Sequence, residues 1–286
     1  MQLVSTPIGL RYFVPSPLLR NFVSSYYVFH ADVDYHTDLM RADLPQLRFL
    51  VCGSADYHFS DGLKAVAMPC SLLGPTFGAY RFEVRGPVLV LGIGLQPAGW
   101  AALIKEDASV FANRIHDAVP LFGNILNDAL DELQGIEKHH HMAEAADRLM
   151  TMLVRNAAEP SLWFARLTDK WLASSLSPEV DKLVSAAGIS SRQVERLAKR
   201  IYGAPPKVLA RKYRALKAAS ELSQNEAPWS EVVGDAFSDQ SHLIREFRQF
   251  VGVTPAQLIS RPPLVMQMSI QRRRVIGTLP ELIQIT

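Results

Sequence analysis

Two clusters of hydrogen-bond donors recur in the last third of this chain at matching intervals. The first is Arg192, Gln193, Arg196 and Lys199, with Glu195 among them; the second is Gln240, Ser241, His242, Arg245 and Arg248. Arginine, lysine, glutamine and serine on one face are the donors that phosphate oxygens and base edges accept. At about 100° per residue both sets lie opposite an apolar stripe. That stripe is Val194, Ala198 and Ile201 in the first copy and Leu243, Phe247 and Phe250 in the second. One such face alone reads equally well as a solvated helix surface. Two faces in matching register favour contact with nucleic acid. Glu195 could accept from a cytosine amino group or pair with Lys199 one turn on.

The elements that position these residues form a duplication. Residues 188–209 and 236–258 align with Ile189 on Phe237 and Ser190 on Ser238. After one extra residue in the second copy, Val194 meets Leu243, Arg196 meets Arg245, Gly203 meets Gly252 and Pro206 meets Pro255. In the first copy Ser177-Pro178 predicts a cap and first position for a short helix burying Val180, Leu183, Val184 and Ala187. Gly188 permits a turn, Ser190 with Gln193 forms a capping box, and Gly203 stops the second helix. The second copy opens at Pro228-Trp229, places Val232 and Val233 inside, caps at Ser238, and ends at Gly252. Thr254-Pro255 with Gln257 then starts a closing helix. Short helix, tight turn, second helix is a helix-turn-helix unit. Between the units, residues 206–224 read as one helix with Leu209, Leu216, Ala219 and Leu222 inward. Arg211, Lys212, Arg214 and Lys217 make it basic, so Lys212 and Arg214 are expected on the DNA backbone.

The run Phe237-Ser238-Asp239-Gln240-Ser241-His242-Leu243, followed by Arg245, Phe247, Gly252, Thr254 and Pro255, resembles the signature of the AraC/XylS family of transcription activators. The resemblance covers about 100 residues, from 161 to 260. It implies a seven-helix DNA-binding domain with two recognition helices, and base or phosphate contacts on the two residue sets named above. Two positions depart from the family pattern. Ala198 stands where an aromatic is usual, and Ala236 where a glycine is usual, in a stretch one residue short.

Ahead of the helical part, residues 12–94 show short apolar runs such as 22–29, 47–51 and 88–93, punctuated by proline and glycine, which read as strands. Gly92 to Trp100 and Pro15 to Tyr27 resemble the β-rich, cupin-like sensory domain of a subset of the same regulators. Helical periodicity then appears around residues 125–133 and 146–153, with a break across 135–140. The expected fold is α+β: a β-rich cupin-like barrel or sandwich at 1–118, a helical linker at 119–160, an all-α domain of two helix-turn-helix units at 161–261, and an extension at 262–286 containing Arg272 to Arg274.

Charge follows this division. Residues 1–160 carry 12 basic against 17 acidic side chains, whereas residues 161–274 carry 18 against 10. Only the second part suits a polyanion. No uninterrupted apolar run reaches membrane-spanning length and no signal-peptide pattern opens the chain, so a cytoplasmic location is expected. Cys52 and Cys70 fit neither zinc nor disulfide spacing. His30, His36 and His58 lack a suitably spaced carboxylate, His139-His140-His141 reads as a solvated loop, and Gly92-x-Gly94 lacks the rest of a dinucleotide fingerprint. No nucleophile motif is visible, and no cofactor, metal or catalytic residue is expected. The resulting expectation is a sequence-specific DNA-binding regulator on double-stranded DNA, with RNA polymerase and a small-molecule effector as further partners, acting as monomer or homodimer. A DNA-repair or metal-dependent cupin-type enzyme carrying the same DNA-binding module is the alternative.

Overall fold

The computed structural model describes residues 6–157, 162–223, 236–237 and 239–270. Its first half is an antiparallel eight-stranded sheet. The strands are β1 (Ile8–Phe13), β2 (Val23–Ala31), β3 (Tyr35–Met40), β4 (Gln46–His58), β5 (Lys64–Val66), β6 (Cys70–Leu73), β7 (Tyr80–Leu95) and β8 (Ile115–Asp117). The hydrogen-bonded path runs β1-β2-β7-β4-β6-β8, with β3 branching onto β7 and β5 onto β4. The branches exist because β4 and β7 are long. The first part of β7 pairs with β3, and its last part, Val88 to Leu95, pairs with β2. Register shifts between Leu50 and Ser54 bend β4, as bulges do. The two halves of the sheet consequently face each other around Phe29, Tyr57, Tyr80 and Phe82, with Phe29 edge-on to Phe82 at 5.9 Å. This is the β-rich domain anticipated from the alternating runs, built from longer strands than those runs alone delimit.

Helix α1 (Pro97–Leu103), short α2 (Val119–Phe122), α3 (Ile125–Gln134) and α4 (His139–Arg155) follow. Leu126, Leu130 and Leu133 of α3 and Met142, Ala146 and Met150 of α4 bury their stripe against Phe49, Leu91 and Ile93 of the sheet. The histidine run is a correction to the expected loop: all three residues lie in the first turn of α4, and the His139 ring sits 5.4 Å from that of His30.

The helical part comprises α5 (Trp163–Ala173), α6 (Val180–Ala187), α7 (Ser191–Tyr202), α8 (Pro206–Leu222), α9 (Gln240–Glu246) continued by a π-helical turn (Phe247–Val251), α10 (Pro255–Ser260) and α11 (Leu264–Ile270). Helix α6 starts at Val180 behind an extended Glu179, not at Pro178, so Ser177 is not its cap. The expected features at Pro228, Trp229, Val232, Val233 and Ser238, and the arginine triplet, lie outside the described residues. Helix α8 serves two cores at once. Leu209, Tyr213 and Leu216 join Leu183, Val194, Ala198 and Ile201 on one side. Ala215, Ala219 and Leu222 join Leu243, Phe247 and Phe250 on the other. No helix among the described residues is long and apolar enough to cross a membrane.

Candidate nucleic-acid interface

The first recognition candidate, α7, is delimited as its sequence dictates. Ser190 Oγ accepts from the Gln193 amide at 3.3 Å, and Gln193 Oε1 accepts from the Ser190 amide at 3.0 Å. The helix stops at Gly203, whose φ of +88° suits a residue without Cβ. A Cβ there would also lie 2.5 Å from the Pro75 ring. Val194 and Ala198 are fully buried, and Arg192, Gln193, Glu195, Arg196 and Lys199 all stand exposed on the far side. The capping role of Gln193 engages its carbonyl oxygen and leaves its amide nitrogen as the outward donor.

The second candidate, α9 with its π turn, is capped by Asp239, whose carboxylate accepts from the His242 amide at 2.7 Å. Gln240, Ser241, Arg245 and Arg248 are exposed. His242 is the exception. Its ring lies half-buried, 3.2 Å from Glu246 and edge-on to Phe237. Glu246 itself is fully buried and receives Arg211 Nε at 2.8 Å and Arg214 Nη2 at 2.7 Å. Burial alone would push its carboxyl up, but the bonds from Arg214 and Arg211 outweigh that and hold it below the usual 4.5. Gly252, at φ +90°, ends the unit.

The basic stripe expected on α8 is not a phosphate surface. Arg214 is bound to Glu246 and Ser177. Lys217 caps the end of α5 through the Leu172 and Ser175 carbonyls. Lys212 is 2 % exposed; its ammonium donates to the Asp43 carbonyl at 2.6 Å and sits 4.9 Å over the Phe77 ring. Burial lowers its pKa to about 7, against the opposing pull of Asp43. Helix α8 is covered on a third side by the β-rich half, and the sequence reading, which counted only two helical neighbours, left that side to solvent.

That covering is symmetrical with respect to the duplication. At the end of α7 the Lys199 and Arg200 carbonyls accept from the Ser109 and Ala108 amides at 3.1 and 2.9 Å. At the end of the second unit the Gln249 and Phe250 carbonyls accept from the Ala79 and Ala42 amides at 2.8 and 2.7 Å. The last turn of a helix leaves such carbonyls short of internal partners, and here the N-terminal half supplies them, in addition to the Gly203 amide already on Lys199. The N-terminal turns of α7 and α9, which carry the base-reading positions in helix-turn-helix docking, remain exposed, that of α7 beside a cleft edged by Asp107 and Ser109.

Residues 183–261 match the helix-turn-helix domain family. The C-terminal part of the chain carries a helix-turn-helix domain. Its match begins inside α6 and ends just after α10, so both recognition helices and α8 fall within it. No curated protein sequence matches the chain. Among solved structures, an apo ToxT variant from Vibrio cholerae is 9% identical, with a TM-score of 0.47, covering 89% of this chain and 97% of its own. ToxT from Vibrio cholerae O395 is 10% identical with a TM-score of 0.43, covering 80% and 99%. The AraC-like transcriptional activator CuxR is 12% identical with a TM-score of 0.29, covering 74% and 86%. These likenesses are distant, and the assignment of the helix-turn-helix domain rests on the domain match.

Elsewhere, Cys52 is exposed and Cys70 buried, the latter with its thiol pushed up to about 11 by burial and then by Asp117 and Asp131. Among the described residues no group of three or more His, Cys, Asp or Glu is gathered in metal-binding geometry. Sequence reasoning missed Glu246, Asp43 and Arg48. Each is a charged residue within a stretch that reads as surface or apolar strand, and only tertiary packing gives it a role.

Proposed function

We propose that the chain is a sequence-specific DNA-binding transcription regulator whose AraC-type domain reads one duplex with both recognition helices. Arg192, Gln193, Glu195, Arg196 and Lys199 would face one half-site, and Gln240, Ser241, Arg245 and Arg248 the next. His242 acts from behind, through Glu246. The observation that carries the reading is the exposure of register-matched Arg196 and Arg245 opposite buried stripes. Helix α8, with 17 residues, spans about 26 Å at 1.5 Å per residue. Together with the units at its ends, that suits successive major grooves about 34 Å apart, with some bending of the DNA. The N-terminal half is the part that would respond to an effector, since it holds the last turns of both recognition helices.

Selection of duplexes from a random pool by the full chain tests this. The expected product is a two-part motif with half-sites about one helical turn apart. Arg196→Ala should relax one half and Arg245→Ala the other. Enrichment of a single half-site, or of none, would overturn the reading.

A further inference from the structure

The histidines that open α4 lie outside both recognition helices, and one of them meets a histidine of the sheet. Along β2, Tyr27 and Phe29 face the space between the two halves of the sheet, and His30 alternates to the opposite face. Tyr26 and Val28 of that face share a buried cluster with Met142 and Ala146 of α4. His30 pairs with Gly9 of β1, where a Cβ would run into the imidazole. The His139 ring lies 5.4 Å from that of His30 and is inclined to it by 47°. Both residues are half-buried.

His30 Nε2 lies 3.4 Å from the Thr6 carbonyl oxygen. The tautomer that donates this bond carries its lone pair on Nδ1. That Nδ1 is buried and has no hydrogen-bond partner, and the same holds for His139 Nδ1. The two rings therefore do not bond one another. A polar atom buried without a partner is costly and calls for an occupant. A proton does not meet the need at His139. Burial first, and then His30 and Arg11, lower its pKa from the usual 6.5. The neutral imidazole, which prevails at neutral pH, is the form that coordinates a metal.

Distances separate the possible occupants. An ion about 2.0–2.1 Å from each nitrogen, in tetrahedral arrangement, sets two imidazole centres about 5.2 Å apart. A water bonded to both at about 2.8 Å would set them about 6.5 Å apart. The observed 5.4 Å matches the ion. The geometry points to a binding site for a divalent transition ion between His30 and His139, each ligating through Nδ1. Imidazole suits zinc, copper and nickel, and the Thr6 carbonyl is the outer partner that fixes the tautomer of a ligating ring. Among the described residues no third His, Cys, Asp or Glu joins the pair. The remaining positions fall to water, which makes the site open and exchangeable. The ion would tie the first turn of α4 to the sheet. Further along α4, Asp147 already accepts from the Ser16 amide and the Tyr26 hydroxyl, both at 2.9 Å. This site goes beyond the DNA-binding reading and does not depend on it.

The test is calorimetric titration of the full chain, stripped of metal by a chelator, with zinc(II). The wild-type chain should bind saturably, and His30→Ala and His139→Ala should each weaken binding at least tenfold. His140 and His141, exposed with ring centres 4.1 Å apart, are the rival pair. The double variant H140A/H141A should keep the wild-type affinity; circular dichroism checks that each variant folds. In the wild-type chain, zinc should also shift the Nδ1 resonances of His30 and His139 in nitrogen-15 spectra. It should raise the Tm as well, and His139→Ala should lose that rise. No saturable binding by the wild-type chain overturns the site. So does binding that survives in both single variants and is lost in the double one. Nδ1 resonances of His30 and His139 unmoved at saturating zinc overturn it without recourse to any variant. None of these measurements contains DNA, so they fail separately from the duplex selection that tests the function.

Discussion

The two recognition candidates, α7 and α9, share a plan and differ in what fastens them. Helix α7 is held by an apolar stripe and by Tyr202, which donates to Asp169 at 2.7 Å or to the Ala165 carbonyl at 2.8 Å of α5. Burial raises the Asp169 carboxyl to about 6 even though Tyr202 opposes the rise. Helix α9 is held by an ionic cage in which Glu246 collects Arg211, Arg214 and His242. The helix beyond Glu246 widens into a π turn, closed by the Gly252 amide on the Phe247 carbonyl at 2.8 Å. Duplication preserved the outward face and let the inward fastening diverge. The face is constrained by what lies outside the protein, whereas the fastening need only fix the helix.

The largest expected contrast comes from removing the two acids. Glu246→Ala leaves Arg214 buried without its partner and should cost about 3–5 kcal/mol, read by denaturant unfolding. Asp169→Asn preserves the bond to Tyr202 and should cost less than about 1 kcal/mol. Equal losses would mean that the cage is no more than a surface ion pair. Next in size are the outward arginines. Arg196→Ala and Arg245→Ala should each cost about 1–3 kcal/mol on the selected duplex and little in stability. If only one of them matters, the two units are not used alike.

The acids also predict pH responses of opposite sign. Between its ordinary 3.8 and about 6, Asp169 binds more proton in the folded state than in the unfolded chain. Its contribution therefore falls as pH rises through that window, by about 3 kcal/mol. Glu246, held below 4.5, contributes fully above that value and loses its contribution as pH falls through its lowered one. Amide protection in α7, corrected for the intrinsic exchange rate at each pH, should rise from pH 7 to 5 while that in α9 stays unchanged, and α9 should loosen only on further acidification. Parallel loosening of both helices at pH 5 would remove the distinction. The smallest effect concerns Lys212. Lys212→Met should leave the salt dependence of DNA binding unchanged, because that ammonium faces Asp43 and not phosphate; a slope flatter by about one would return it to the DNA surface.

How far these differences could be read from sequence depends on the range of the signal. The Ser190–Gln193 box, the Gly203 and Gly252 stops and the outward arginines follow from local spacing, and each stands where that spacing puts it. The α+β division was equally legible from the change of period. Lys212 and Arg214 were misplaced because helical angle gives a direction but not what lies there. Glu246 reads as one more charge on a basic helix until α8 is brought against it. Arg48 sits in the run 47–51, where four apolar neighbours mask a cation turned to the other face. The His242 position was legible as a place and not as a role.

Helix α11 bears on how this protein can be divided. It crosses back from the helix-turn-helix domain onto the sheet, where the Val265 amide donates to Asp38 at 2.7 Å and the Val265 side chain joins the buried cluster of Phe29, Tyr57 and Phe82. A polypeptide cut after residue 261 would keep the whole matched domain, yet it would strip the β-rich half of a piece of its own core. Residues 264–270 thus stitch the helical part to the sheet, and neither can be lifted out cleanly at the border drawn by the family match.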